Sequence, residues 1–215
     1  MSNNAIAVEL HEVSKRYGYL QALNSVSLNI ATGDFMAFSG HNGAGKTTLL
    51  RIIATHILPT SGSVKIFGTD AHDNCEIRRE IGLVTHDSFL YDELTVRENL
   101  LFYAKLFGVK EEAFRDTIEF LGMNRWYNVQ VKNLSHGLRK RADIVRALLH
   151  DPGLILLDEP FSGLDMNTCD LLADYLKSQH GKTLLISSHS LEWTRKICDN
   201  GIVLERGNLV GELDF

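Results

Sequence analysis

Residues 40–48 read Gly-His-Asn-Gly-Ala-Gly-Lys-Thr-Thr, three glycines followed at once by a cation and two hydroxyls. Gly40, Gly43 and Gly45 let successive backbone N–H groups converge on one anion, because no Cβ obstructs the approach. Lys46 then brings an ammonium to the β and γ positions of a triphosphate, and the Thr47 hydroxyl is suited to Mg²⁺. His41, Asn42, Ala44 and Thr48 complete the expected nucleotide-binding segment. A glycine-rich turn can fit G-x-x-x-x-G-K-[ST] by chance, so its context decides. Here an apolar run at residues 35–38 enters the turn, and Leu49, Leu50, Ile52 and Ile53 leave it at helical spacing. The order is strand, loop, helix, which adds the positive end of a helix dipole to the phosphate site.

About 110 residues after the loop, Leu154-Ile155-Leu156-Leu157-Asp158-Glu159-Pro160 ends an apolar run in two carboxylates. Asp158 can hold the Mg²⁺ shell, and Glu159 can polarise a water for attack on the γ-phosphate. Acidic residues often end strands where loops begin; the phosphate loop supplies the Mg²⁺ that gives these two a chemical role. Ser187-Ser188-His189 closes another apolar run at the same sheet edge, where His189 is open to a structural or a catalytic reading. Asn133-Leu134-Ser135-His136-Gly137-Leu138 opens a helix with Ser135 as N-cap. A plain capped helix and a second anion site, built on Ser135 and Gly137, both fit it.

The elements that position these residues follow from periodicity. Alternating apolar and polar residues at 5–13 and 25–30 predict half-exposed strands, and residues 63–67 a third, joined by short turns into a small antiparallel sheet. Residues 46–55 are expected as the helix after the loop, and 81–85 as a buried strand. Helical periodicity then runs through 96–107, 111–121 and 136–149 with no strand between, which marks a helical subdomain inserted at about 88–145. The continuous apolar runs at 154–158 and 183–187 fit parallel strands covered on both faces, with a helix at 167–178 between them. A hairpin around Arg206-Gly207-Asn208 closes the chain.

With 215 residues the chain can bury one large α/β core without disulfide or metal staples. A net charge of -5 with mixed signs argues against a nucleic-acid surface. Cys75, Cys169 and Cys198 are widely spaced and form no C-x-x-C pair, so reduced thiols in a cytosolic setting are expected. Neither a leader-like N-terminus nor a run of about 18 apolar residues is present, so the chain is expected not to be exported and not to span a membrane itself.

Taken together, these segments resemble the ATP-binding cassette family of ATPases over nearly the whole chain. The resemblance implies a single nucleotide-binding domain over residues 1–215: an α/β P-loop NTPase parallel-sheet core with an N-terminal antiparallel β subdomain and the inserted helical subdomain. By it, residues 40–48 are the Walker A loop and 154–158 the Walker B strand, with Glu159 the catalytic glutamate and His189 the switch histidine. Residues 134–138 stand at the family signature, 162–165 resemble the D-loop, and Tyr17 takes the place of the aromatic that stacks on adenine. ATP and Mg²⁺ are implied as ligands, with Thr47, Asp158 and His86 toward the metal. The implied partners are a second cassette, expected to be identical, and separate transmembrane permease subunits contacted through residues 89–107, at the cytoplasmic face of a membrane.

Two departures from the family pattern bear on this. Where the family has a glutamine, this chain has His86, an imidazole that can order water or ligate a metal but reaches differently. The signature Leu-Ser-Gly-Gly-Gln stands here as Leu134-Ser135-His136-Gly137-Leu138, which implies altered hydrolysis at the composite site. His86 with Ser-His-Gly also resembles haem-exporter subunits of cytochrome c maturation. The competing readings are a soluble cassette serving translation or DNA repair, and a nucleotide-dependent binding subunit with weak hydrolysis. A zinc site on His86, His136 and His189 is disfavoured, since they lie on separate segments with no local ligand pair.

Overall fold

The computed structural model describes residues 5–189 and 191–215; residues 1–4, part of the stretch read for a leader, lie outside the described residues. Strands β1 (Ile6–Tyr17), β2 (Leu20–Ala31), β4 (Ser61–Ile66) and β5 (Thr69–Asp70) form an antiparallel sheet in the order β2-β1-β4-β5. A second sheet has the order β10-β9-β3-β8-β7-β6. It is built from β3 (Phe35–Ser39), β6 (Ile81–Val84), β7 (Leu154–Asp158), β8 (Thr183–Ser187), β9 (Asn200–Glu205) and β10 (Asn208–Asp214). Its strands pair in parallel except for the closing hairpin of β9 and β10.

The continuous apolar runs lie where both faces of this sheet are covered. Along β7, Leu154 and Leu156 pack under the antiparallel sheet and helix α1 (Lys46–Ile53), whereas Ile155 and Leu157 pack under the helices on the opposite face. Period-two alternation thus divides one apolar strand between two cores. The second face carries α2 (Val96–Phe107), α3 (Arg115–Phe120), α4 (His136–Leu148), α5 (Met166–Lys177) and α6 (Leu191–Ile197). Thr95 and Glu98 form a reciprocal capping box at the start of α2, and Gly108 ends it in a left-handed conformation. Buried Asn99 bonds the backbone of Tyr91, accepting from its N–H at 2.7 Å and donating to its carbonyl at 3.0 Å.

Several boundaries differ from the sequence expectation. The strand expected at 5–13 runs on to Tyr17, because bulges near Glu12 and Ser25, both with positive φ, shift the alternation without ending the pairing. The helix expected at 111–121 begins as a 3-10 turn over Glu111–Phe114, and only then becomes α3, because Phe114 departs from helical geometry. Helix α6 was not read from the sequence; its buried Trp193, Thr194 and Ile197 show the spacing that could have found it.

His150, just after α4, stacks on Phe107 with centroids 3.9 Å apart, and its Nε2–H donates to the Ile81 carbonyl at 3.1 Å. Burial pushes its pKa down from 6.5 to about 4, so the folded chain holds a neutral ring. The unfolded chain therefore takes up a proton first, and stability is lost as pH falls through this window. The loss is expected to reach about 2 kcal/mol once partial exposure is allowed for. Urea unfolding of wild type and His150→Gln across that range checks it: the two stability profiles should diverge on the acid side, with the wild type falling more steeply.

Candidate active site

Helix α1 is N-capped by Gly45, which has φ 110 and offers no side-chain cap, and no acidic residue lies in the first turn. The orphan N–H groups of that turn are left for an external acceptor. A Cβ on Gly45 would meet the Ala22 carbonyl oxygen at 2.7 Å, so the close passage of β2 over the loop requires glycine here. These amides open onto a cavity of about 350 Å³. Asn42, Gly43, Ala44, Gly45, Lys46, Thr47 and Thr48 line it together with His86, Asp158, Glu159 and His189. Tyr17, half exposed at the end of β1, also lines it, with Leu20, Gln21 and Ala22 of β2.

Lys46 is buried, and its ammonium donates to the Gly40 carbonyl at 2.6 Å and the His41 carbonyl at 3.2 Å. Burial lowers its pKa, while the nearby charges of Glu159 and Asp158 hold it up. Thr47 Oγ1 donates to Asp158 Oδ1 at 3.0 Å, and Ser187 at the end of β8 donates to the same oxygen. The β7–β8 register sets Asp158 against Ser187, so the parallel pairing itself aims the carboxylate at the loop. Glu159, held at φ 49, donates its backbone N–H to the Ser187 hydroxyl at 3.1 Å. Its carboxylate lies 3.0 Å from His189 Nε2 and accepts the His189 N–H at 3.3 Å.

The residues singled out in the sequence thus converge, with exceptions. Gly40 packs against the Leu204 backbone, and His41 faces a separate small cavity beside Arg206. Ser135 and Gly137 stand at the start of α4, outside the cavity, with the Ser135 hydroxyl capping the helix by accepting from Leu138 N–H. His136 extends across to the Ser162 carbonyl at 3.3 Å. Sequence reading missed the β2 wall at Leu20, Gln21 and Ala22, and the anchoring role of Ser187, whose only signal was its place at a strand end. No group of three or more His, Cys, Asp or Glu side chains suited to a metal occurs among the described residues. Thr47 and Asp158 nonetheless fit Mg²⁺, which takes one or two protein oxygens and completes its shell with phosphate and water.

The family model of the ABC transporter matches residues 23–162. The chain belongs to the ABC transporter family. Within it the protein is an ATP-binding, ATP-hydrolysing cassette. It is 34% identical to the ABC transporter ATP-binding protein NatA of Bacillus subtilis over 215 residues, covering 94% of this chain and 87% of NatA. It is 36% identical to the bacitracin transport ATP-binding protein BcrA of Bacillus licheniformis, covering 97% and 70%. It is also 36% identical to the Nod factor export ATP-binding protein I of Rhizobium johnstonii, covering 98% and 70%. A bacterial ABC transporter cassette solved as a dimer superposes with a TM-score of 0.89 at 30% identity, covering 96% of this chain and 98% of that one. The cassette fold, with its antiparallel sheet beside the P-loop core, is thereby shown.

Proposed function

We propose that this cassette binds Mg·ATP in the cavity above α1 and closes head-to-tail on a second copy. Hydrolysis then releases that closure and so drives transport through separate transmembrane subunits. The observation that carries the reading is the convergence of the loop amides, Lys46, Thr47, Asp158, Glu159 and His189 on one cavity. In this assignment the loop amides and Lys46 hold the β and γ phosphates, Thr47 and Asp158 hold Mg²⁺, and Tyr17 stacks on the adenine. When bound, Mg²⁺ neutralises charge on the phosphate oxygens. Glu159 accepts the proton of the attacking water, and His189, within contact of Glu159, fixes its carboxylate. His86 orders water at the cavity wall; its nitrogen is a poor match for a cation that prefers oxygen.

Ser135 and Gly137 lie outside their own chain's cavity, which suits groups that offer a hydroxyl and an N–H to the γ-phosphate of a facing protomer. Adding a γ-phosphate glues the pair, and removing it lets the faces part.

No helix among the described residues is long and apolar enough to cross a membrane. The matched relatives' names as transport and export ATP-binding proteins favour a membrane-spanning part on partner subunits, which would hold this chain at the cytoplasmic face. A groove of about 340 Å³ between Thr55, His56, Phe89, Tyr103 and Phe107 suits their docking, in the segment expected to make that contact. The name of one matched relative, for Nod factor export, favours an export system. Haem as cargo rests on His86 and Ser135-His136-Gly137 alone. Purification from detergent-solubilised membranes tests the partner: the wild type should copurify with a multispanning protein, and Phe107→Asp should lose it. Copurification with ribosomes or DNA instead would favour a soluble cassette.

A further inference from the structure

Helix α4 carries Lys140, Asp143 and Arg146 at successive spacings of three, which places two cations on either side of one carboxylate along a single helix face. All three are buried, Asp143 to 1% exposure. Arg146 Nε donates to Asp143 Oδ1 at 2.6 Å, and its guanidinium lies 5.1 Å from the Phe89 ring and 5.2 Å from the Tyr103 ring. Burial raises the Asp143 carboxyl, opposed chiefly by the charge and hydrogen bond of Arg146, and lowers the Lys140 ammonium, opposed by the Asp143 charge. Charges buried at this depth hold only where partners compensate them.

Both cations spend further hydrogen bonds on one short stretch of backbone. Lys140 Nζ donates to the Thr85 carbonyl at 3.2 Å, and Arg146 donates to the Leu83 carbonyl. These carbonyls sit just before His86, at the end of β6 and beyond it. His86 lines the nucleotide cavity and also a second cavity of about 250 Å³ whose other wall includes Lys140 and Asp143. The parallel pairing of β6 with β7 stops at Val84, so past that point the ladder no longer fixes the chain. The clamp from α4 takes over where the ladder ends.

We propose that Lys140 and Arg146 form a buried positioning clamp that aims His86 into the nucleotide cavity, with Asp143 holding the Arg146 guanidinium in place. The clamp rests on the reading above in which His86 orders water for hydrolysis. It also ties the start of α4, where Ser135 and Gly137 lie, to the segment carrying His86, so a shift of either is felt by the other.

Lys140→Met keeps the apolar stem and removes the donor to Thr85, and Lys140→Arg restores a donor. In the purified full chain without nucleotide, amide exchange across residues 85–88 should accelerate about tenfold in Lys140→Met, as the loss of a charge-assisted hydrogen bond implies. It should remain close to wild type in Lys140→Arg and at residues 45–49 in either variant. In ATPase assays kcat should fall about tenfold for Lys140→Met with KM within about twofold, since misplacing a group in the site costs rate before binding. Unchanged exchange at residues 85–88 in Lys140→Met overturns the clamp, as does equal acceleration throughout β6 and α1, which would mark general loosening. His86→Ala separates the two ideas. If it leaves kcat at the wild-type value, the water-ordering reading fails, while the exchange measurement still decides the clamp. Asp143→Asn, provided it folds, should accelerate exchange beside the Leu83 carbonyl that Arg146 holds, while leaving residues 45–49 at the wild-type rate; wild-type exchange there overturns the role given to Asp143.

Discussion

Glu159→Gln is expected to lower kcat by about 10²–10⁴-fold, the range for loss of a positioned general base, while leaving nucleotide affinity close to wild type. The expectation follows from geometry. The carboxylate projects from a strand end held at φ 49, within 3.0 Å of His189, beside the carboxylate that Thr47 and Ser187 fix. Gln keeps the shape and a hydrogen-bonding oxygen but cannot accept the proton of the attacking water. Single-turnover and steady-state ATPase assays, run with the membrane partner, check it. A kcat within about threefold of wild type would remove Glu159 from the catalytic role, since a general base is worth far more than that.

Lys46→Ala is expected to weaken ATP binding about 100-fold or more, through loss of one or two charge-assisted hydrogen bonds of about 1.5–3 kcal/mol each. In the structure the ammonium is already desolvated and held by the Gly40 and His41 carbonyls. Much of the cost of ordering it is therefore met before the nucleotide arrives. Its removal also leaves Asp158 and Glu159 facing an anion without a compensating cation. Titration calorimetry with Mg·ATP measures the effect, and circular dichroism confirms that the variant folds. Binding equal to wild type would contradict the assignment of the cavity.

Where local signals agree, element boundaries could be read from the chain directly. Helix α2 was expected at 96–107 and found there, because Thr95 and Glu98 cap one end and Gly108 closes the other. Strands β7 and β8 likewise match the apolar runs, since both faces are covered and no polar position interrupts them. Bulges defeated the reading of β1 and β2, because one extra residue inverts the in-and-out pattern while pairing continues. The glycine loop and the two carboxylates were legible because their chemistry is local to a few consecutive residues. His189 was read from its place at a strand end, and Tyr17 and His86 through the family resemblance; the rest of the site was not legible. The β2 wall beside the loop, the bond from Ser187 to Asp158 and the carbonyls held by Lys140 and Arg146 all join residues far apart in the chain. Only packing brings them together.

Sedimentation of Glu159→Gln with and without Mg·ATP tests most directly whether two copies complete each other's site. With nucleotide the chain should sediment as a dimer, and without it, or with Lys46→Ala added, as a monomer. A monomer at saturating Mg·ATP, or a dimer indifferent to nucleotide, would contradict a site closed by Ser135 and Gly137 of a facing copy.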